Sequence, residues 1–121
     1  MKKRQYYINN VCDERGRLTV ADCAKDLPFE VKRVFWITDV PIATARGGHA
    51  HRTCNELLFV LNGAFTLHIG DESFHMTNDG MGVAIWAGEW CDLTDFEPQT
   101  VVLVLASEEF RPEGYVYNKN Q

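Results

Sequence analysis

No apolar run in the 121-residue chain is long. The longest, residues 57–61 and 101–106, fall far short of the roughly 20 residues that a membrane-spanning helix needs. The basic start, Lys2-Lys3-Arg4, leads into no apolar segment, so it lacks the form of a secretory signal and predicts a cytoplasmic protein. Positive charge is scarce. Twelve Lys and Arg stand against seventeen Asp and Glu, a formal net charge of −5. That balance argues against nucleic acid as a partner, while a local pair of arginines could still hold a small phosphorylated ligand. The four cysteines, Cys12, Cys23, Cys54 and Cys91, include no C-x-x-C pair and are read as reduced thiols. Helix signals are nearly absent, since only residues 20–26 could make a turn or two before Pro28 stops them. No repeat, low-complexity tract or linker divides the chain, so residues 1–121 are read as one domain with residues 118–121 frayed.

What the chain does have is a succession of short β-branched or aromatic stretches separated by Gly, Pro, Asn and Asp. Candidate strands cover residues 5–9, 17–21, 31–38, 45–52, 56–61, 64–69, 72–77, 81–86, 91–94 and 100–106. This spacing predicts an all-β sandwich or barrel. Asn62-Gly63 predicts a tight hairpin turn between two apolar strands. Gly70-Asp71 predicts another, between the alternating Phe65, Leu67, Ile69 and Phe74, Met76.

The chemistry concentrates in Arg46-Gly47-Gly48-His49-Ala50-His51. Side chains alternate along a strand, so His49 and His51 share a face that Ala50 does not. Two imidazoles side by side can ligate a metal or hold a substrate between an acid and a base. Arg17, Arg33 and Arg46 are candidates for phosphate or sugar, because guanidinium forks match phosphate oxygens. Tyr7, Phe35 or Trp36 could stack on a ring, and alternation allows only one of Phe35 and Trp36 to face inward. His68 and His75 read as solvent-facing.

Glu56 follows His51 after four residues and Gly63 follows Glu56 after six. This H-x-H, x4, E, x6, G string resembles the first cupin motif. Gly80, Gly88, Cys91 and Asp95 are similar in spacing to the second, with Trp86, Cys91 and Asp95 where that family usually has Pro, His and Asn. The resemblance implies an RmlC-like jelly roll, the conical β-barrel of the cupins. It then narrows. Residues 32–37 with Asp39, the 46–51 string, Asn62-Gly63, Trp90, residues 103–107 and Asp13-x-x-Gly16-x-Leu18 resemble the dTDP-sugar 3,4-ketoisomerases, the WxcM-like sugar-nucleotide cupins. The likeness runs from about residue 5 to about residue 117.

That resemblance implies a cofactor-free homodimer, with residues 1–10 including a strand exchanged between copies. It implies an enzyme that moves the carbonyl of a dTDP-4-keto-6-deoxyhexose from C4 to C3, in the supply of deoxyamino sugars. His49 and His51 match the catalytic positions. Arg17, Arg33, Trp36, Arg46, Glu56, Trp90 and Cys91 are the expected substrate-binding set. Three features depart from the pattern: Cys91 replaces His, Glu56 stands where Gln is frequent, and Gly114-Tyr115-Val116-Tyr117 replaces an Asp-Tyr-Ile-Arg type of ending. The first two open an alternative, a metal-dependent cupin acting on another small molecule through His49, His51, Glu56 and Cys91. A non-catalytic nucleotide-sugar binding module is the third reading.

Overall fold

The computed structural model describes residues 2–23 and 25–119. Two five-stranded antiparallel sheets pack face to face. One runs in the order β1 (Gln5–Tyr7), β9 (Met81–Ile85), β6 (Glu56–Asn62), β11 (Val101–Ala106) and β4 (Arg33–Ile37). The other runs β12 (Tyr115–Val116), β5 (Arg46–His51), β10 (Cys91–Thr94), β7 (Ala64–Ile69) and β8 (Glu72–Thr77). A separate hairpin joins β2 (Asn9–Asp13) to β3 (Gly16–Val20) and pairs with neither sheet. Among the described residues no ladder connects the two sheets, so the all-β expectation is met as a two-sheet sandwich.

Alternation makes the core. Leu58 and Val60 of β6, Val83 and Ile85 of β9, and Val102 and Val104 of β11 meet Phe65, Leu67, Met76 and Leu93 of the facing sheet. Each such burial stabilises by about 1.5–3 kcal/mol. β6 is apolar on both faces because both are covered. Its other parity, Leu57 and Phe59, packs with Ala84 and Leu105 beneath Tyr6, Ile8, Leu27 and Phe29. The N-terminal segment that supplies this cover is pinned by Arg4, whose guanidinium donates to both carboxylate oxygens of Glu89, at 2.8 and 2.6 Å, and to the Ala84 carbonyl. In the single chain β1 therefore pairs with its own β9, through Gln5↔Val83 and Tyr7↔Met81.

Several expectations are corrected. Asn62-Gly63 does not close a hairpin, because β6 and β7 lie in different sheets and this pair is the corner between them. The buried Thr100 hydroxyl clamps that corner, accepting from the Ala64 N–H at 3.2 Å and lying 2.7 Å from the Glu97 carbonyl. Gly70-Asp71 is a true two-residue hairpin, with Ile69 opposite Glu72. β2 and β12 were not anticipated. β2 is exposed throughout and carries one large apolar residue, Val11, and β12 is too short to show a period. The helical expectation for residues 20–26 reduces to one turn, with Asp26 N–H donating to the Asp22 carbonyl at 2.8 Å, and Ala24 lies outside the described residues. The same is true of residues 120 and 121 of the expected frayed tail. No helix among the described residues is long and apolar enough to cross a membrane.

Gly63 and Gly70 both have positive φ, 79° and 56°, but a methyl on Gly63 would meet the Thr100 Cα at 2.9 Å whereas Gly70 faces open space. Gly70→Ala should cost about 1–2 kcal/mol for the left-handed backbone alone. Gly63→Ala should cost at least about 1 kcal/mol more, because the backbone contact adds to it. Urea midpoints of the two variants test this, and equal losses would remove the tight corner from the account.

Candidate active site

β5 carries the two histidines between β10 on one side and β12 on the other. Gly47 makes this passage possible. Its φ is 88°, and a side chain there would strike the Cys91 carbonyl oxygen at 2.9 Å, where β10 shifts register between Cys91 and Asp92. His49 thereby faces Cys91 across the ladder, and His51 faces Tyr115.

Between the sheets lies a cavity of about 290 Å³, lined by Phe35, Arg46, His49, Glu56, Cys91 and Tyr115 among others. Nε2 of His49 is 3.3 Å from Nε2 of His51, with the rings at right angles. Nε2 of His51 is also 3.2 Å from Oε1 of Glu56, and these two side chains are only 4% and 7% exposed. Glu56 shares the parity of Leu58 and Val60, which turns its carboxylate inward. Burial is the main force holding the His49 pKa below the usual histidine value, and the neighbouring His51 adds to it. A hydrogen bond with the Gly47 backbone, then Glu56 and Asp92, act in the opposite sense. Cys91 is pushed up to about 12, first by burial and then by Glu56, Asp92 and Glu89. Its thiol stays protonated at neutral pH.

The structure thus brings His49, His51, Glu56, Cys91 and Arg46 together. Arg33 stands on the same face of β4 as Phe35, its guanidinium 5.1 Å from the Phe35 ring centre and 5.7 Å from that of Phe110. Its Nε is buried and has no hydrogen-bond partner among the described residues. Three expected residues lie outside the cavity. Trp36 is 66% exposed, because alternation turns Phe35 in and Trp36 out. Trp90 precedes the inward Cys91 and instead packs under Lys119, whose Nζ is 5.3 Å from the ring centre. Arg17 sits on the exposed hairpin, in a groove of its own. The four residues of the metal alternative stand together here, yet among the described residues no group of three or more His, Cys, Asp or Glu is disposed to hold a metal ion. His68 is not simply solvated. Its two ring nitrogens meet Ser73 at 3.0 Å and Thr94 at 2.9 Å.

Two site residues escaped the sequence reading. The Tyr115 ring lies 4.7 Å from that of His51 and 5.1 Å from that of His49, and Tyr117 stacks on Tyr115 at 5.9 Å. The Tyr-Val-Tyr alternation was the available signal, on a strand of two residues.

A protein-family model described as FdtA, WxcM-like, C-terminal, matches residues 1–121. The chain belongs to this family. A curated member-like relative, the TDP-4-oxo-6-deoxy-alpha-D-glucose-3,4-oxoisomerase of Aneurinibacillus thermoaerophilus, is 30% identical over 120 residues, covering 96% of this chain and 86% of that protein. The QdtA 3,4-ketoisomerase of Thermoanaerobacterium thermosaccharolyticum, a double mutant solved in complex with TDP, superposes with a TM-score of 0.88 at 33% identity, covering 96% and 87% of the two chains. A histidine-to-asparagine mutant of the same enzyme, in complex with TDP-4-keto-6-deoxyglucose, gives a TM-score of 0.88 at 32% identity and the same coverage. The rmlC epimerase of Mycobacterium tuberculosis shares the fold alone, with a TM-score of 0.75 at 14% identity over 92% of this chain and 66% of that one. Cupin-like architecture is therefore common to the WxcM-like family and this chain.

Burial predicts that Cys91 resists alkylation. Iodoacetamide at pH 8 should modify the exposed Cys12 and Cys23 while sparing Cys91, as read by peptide mass. Labelling of Cys91 as fast as Cys12 would contradict the closed cavity floor.

Proposed function

We propose that this chain is a sugar-nucleotide 3,4-ketoisomerase that moves the keto group of a dTDP-4-keto-6-deoxyhexose from C4 to C3. It would act in the cytoplasm, in deoxyamino-sugar synthesis and without a cofactor. The observation that carries the reading is His49 on the wall of a hexose-sized cavity, with its Nε2 against that of the buried His51, which in turn meets Glu56. The C4 carbonyl acidifies the proton on C3. His49 removes that proton as the electrons move onto O4, giving an enediolate; passage of the O3 proton to O4 and return of the abstracted proton to C4 leave the ketone at C3 and the hydroxyl at C4. Atoms balance, since substrate and product are isomers. A base of lowered pKa is unprotonated at neutral pH, as this step requires, and general base catalysis contributes about 10²–10⁴-fold. His51 serves as its proton partner. The cavity accommodates the sugar and leaves the nucleotide to its rim, where Arg46 is suited to the diphosphate and Arg33 has a donor to spare.

The whole chain is read as one cupin domain of conical form, working as a homodimer. Support comes from the β2–β3 hairpin, which pairs with no strand of its own sheets and exposes Val11 and Leu18, the latter by 62%. Val34, Trp36 and Leu61 are likewise exposed on the outer face of the first sheet. A second copy would cover both.

Proton NMR of dTDP-4-keto-6-deoxyglucose with chelator-treated protein in D2O should show a 3-keto product carrying deuterium at C4. Binding of dTDP without conversion would turn the reading to a binding module. His49→Asn should lower turnover by at least about 100-fold and leave dTDP affinity nearly unchanged, and full turnover in that variant would remove His49 as the base. Sedimentation should give a dimer for the native chain and a monomer for Leu18→Glu.

A further inference from the structure

Among the described residues Glu56 is the one buried carboxylate of the cavity, and its partner is Nε2 of His51 at 3.2 Å. A carboxylate taken from water is costly unless a donor meets it, so the proton between the two groups belongs on this contact. The same His51 nitrogen faces Nε2 of His49 at 3.3 Å. Two N–H groups cannot point at each other across that distance, so with Nε2 of His51 protonated, Nε2 of His49 must present its lone pair. Nδ1 of His49 is then the nitrogen left to donate to the Gly47 backbone, a hydrogen bond that favours protonation of the ring. The histidines are also unequal in access, because His49 lines the cavity and His51 is buried behind it.

We propose that Glu56 is a positioning residue that acts through His51, holding the proton on Nε2 of His51 and so keeping Nε2 of His49 unprotonated. The inference rests on the ketoisomerase reading for its kinetics but not for its proton placement. A glutamine amide can donate or accept with equal ease, so it leaves the His51 tautomer unspecified, whereas a carboxylate can only accept. The charged and titratable groups around the pair are Arg46 and His49 on β5, Cys91 and Asp92 on β10, Glu89 just before it, and Tyr115 and Tyr117 at the C-terminal end. Of these, Asp92 acts on His49 in the same sense as Glu56, so it preserves part of the field when Glu56 is neutralised.

The sign of the effect follows. The Glu56 charge favours the protonated form of His49, so Glu56→Gln lowers the pKa of His49 and extends activity to more acidic pH. Histidine 15N NMR of the full chain, titrated as the native protein and as Glu56→Gln, reads this without turnover. The native protein should show Nε2 of His51 protonated and Nε2 of His49 unprotonated. In Glu56→Gln the His49 transition should move to lower pH, and the acid limb of kcat/KM should move down with it. A bare structural role for Glu56 would change melting temperature and leave both curves in place. An unprotonated Nε2 on His51 in the native protein, or superimposable His49 titrations, would overturn the proposal. If Glu56→Gln does not fold, the native tautomer pattern alone decides. If instead no 3-keto product forms with native protein, the ketoisomerase reading fails while the tautomer test still stands.

Discussion

The contact on which the site depends is between a carboxylate and an imidazole, both withdrawn from water. Glu56 begins β6, a strand whose following residues are apolar on both faces, and its parity sends it into the same interior as Leu58 and Val60. A charge in that position is tolerable because His51 meets it. The pairing in turn orders His49, the imidazole that reaches the cavity. Burial is what gives these groups their chemistry. The same desolvation that lowers His49 raises Cys91, leaving one a ready base and the other an inert thiol.

This arrangement requires two sheets to approach closely along β5. Gly47 fits against the Cys91 carbonyl where any side chain would collide, and the register shift in β10 accommodates it. β12 closes the other edge of β5, setting Tyr115 against both imidazoles. The aromatic wall and the glycine edge together leave the histidines little freedom to turn. Preorganisation of this kind is what makes acid and base groups effective once a substrate is bound.

Much of the fold was legible because alternation and turn residues are local signals. Nine of the ten candidate stretches overlap strands that belong to one of the two sheets, and the tenth, residues 17–21, overlaps β3 of the hairpin. The H-x-H pair and Glu56 were legible from spacing. The failures share a cause. Asn62-Gly63 reads as a hairpin in sequence, yet the partners of β6 are β9 and β11, strands distant in the chain. Trp90 is expected at the site from its motif, but parity with the inward Cys91 takes it off the cavity between the sheets, to a half-buried position beside Lys119. Tyr115 and Tyr117 were missed because a two-residue strand has no period to detect.

By itself the sequence determined an all-β chain of the WxcM-like family with a histidine pair on one strand face, since strand parity, turn chemistry and motif spacing are properties of neighbouring residues. Tertiary structure alone decided that the pair abuts Glu56, that His49 and not His51 opens onto the cavity, and that Cys91 stays a thiol. Those outcomes depend on desolvation and on contacts between residues far apart in the chain, which no local pattern encodes.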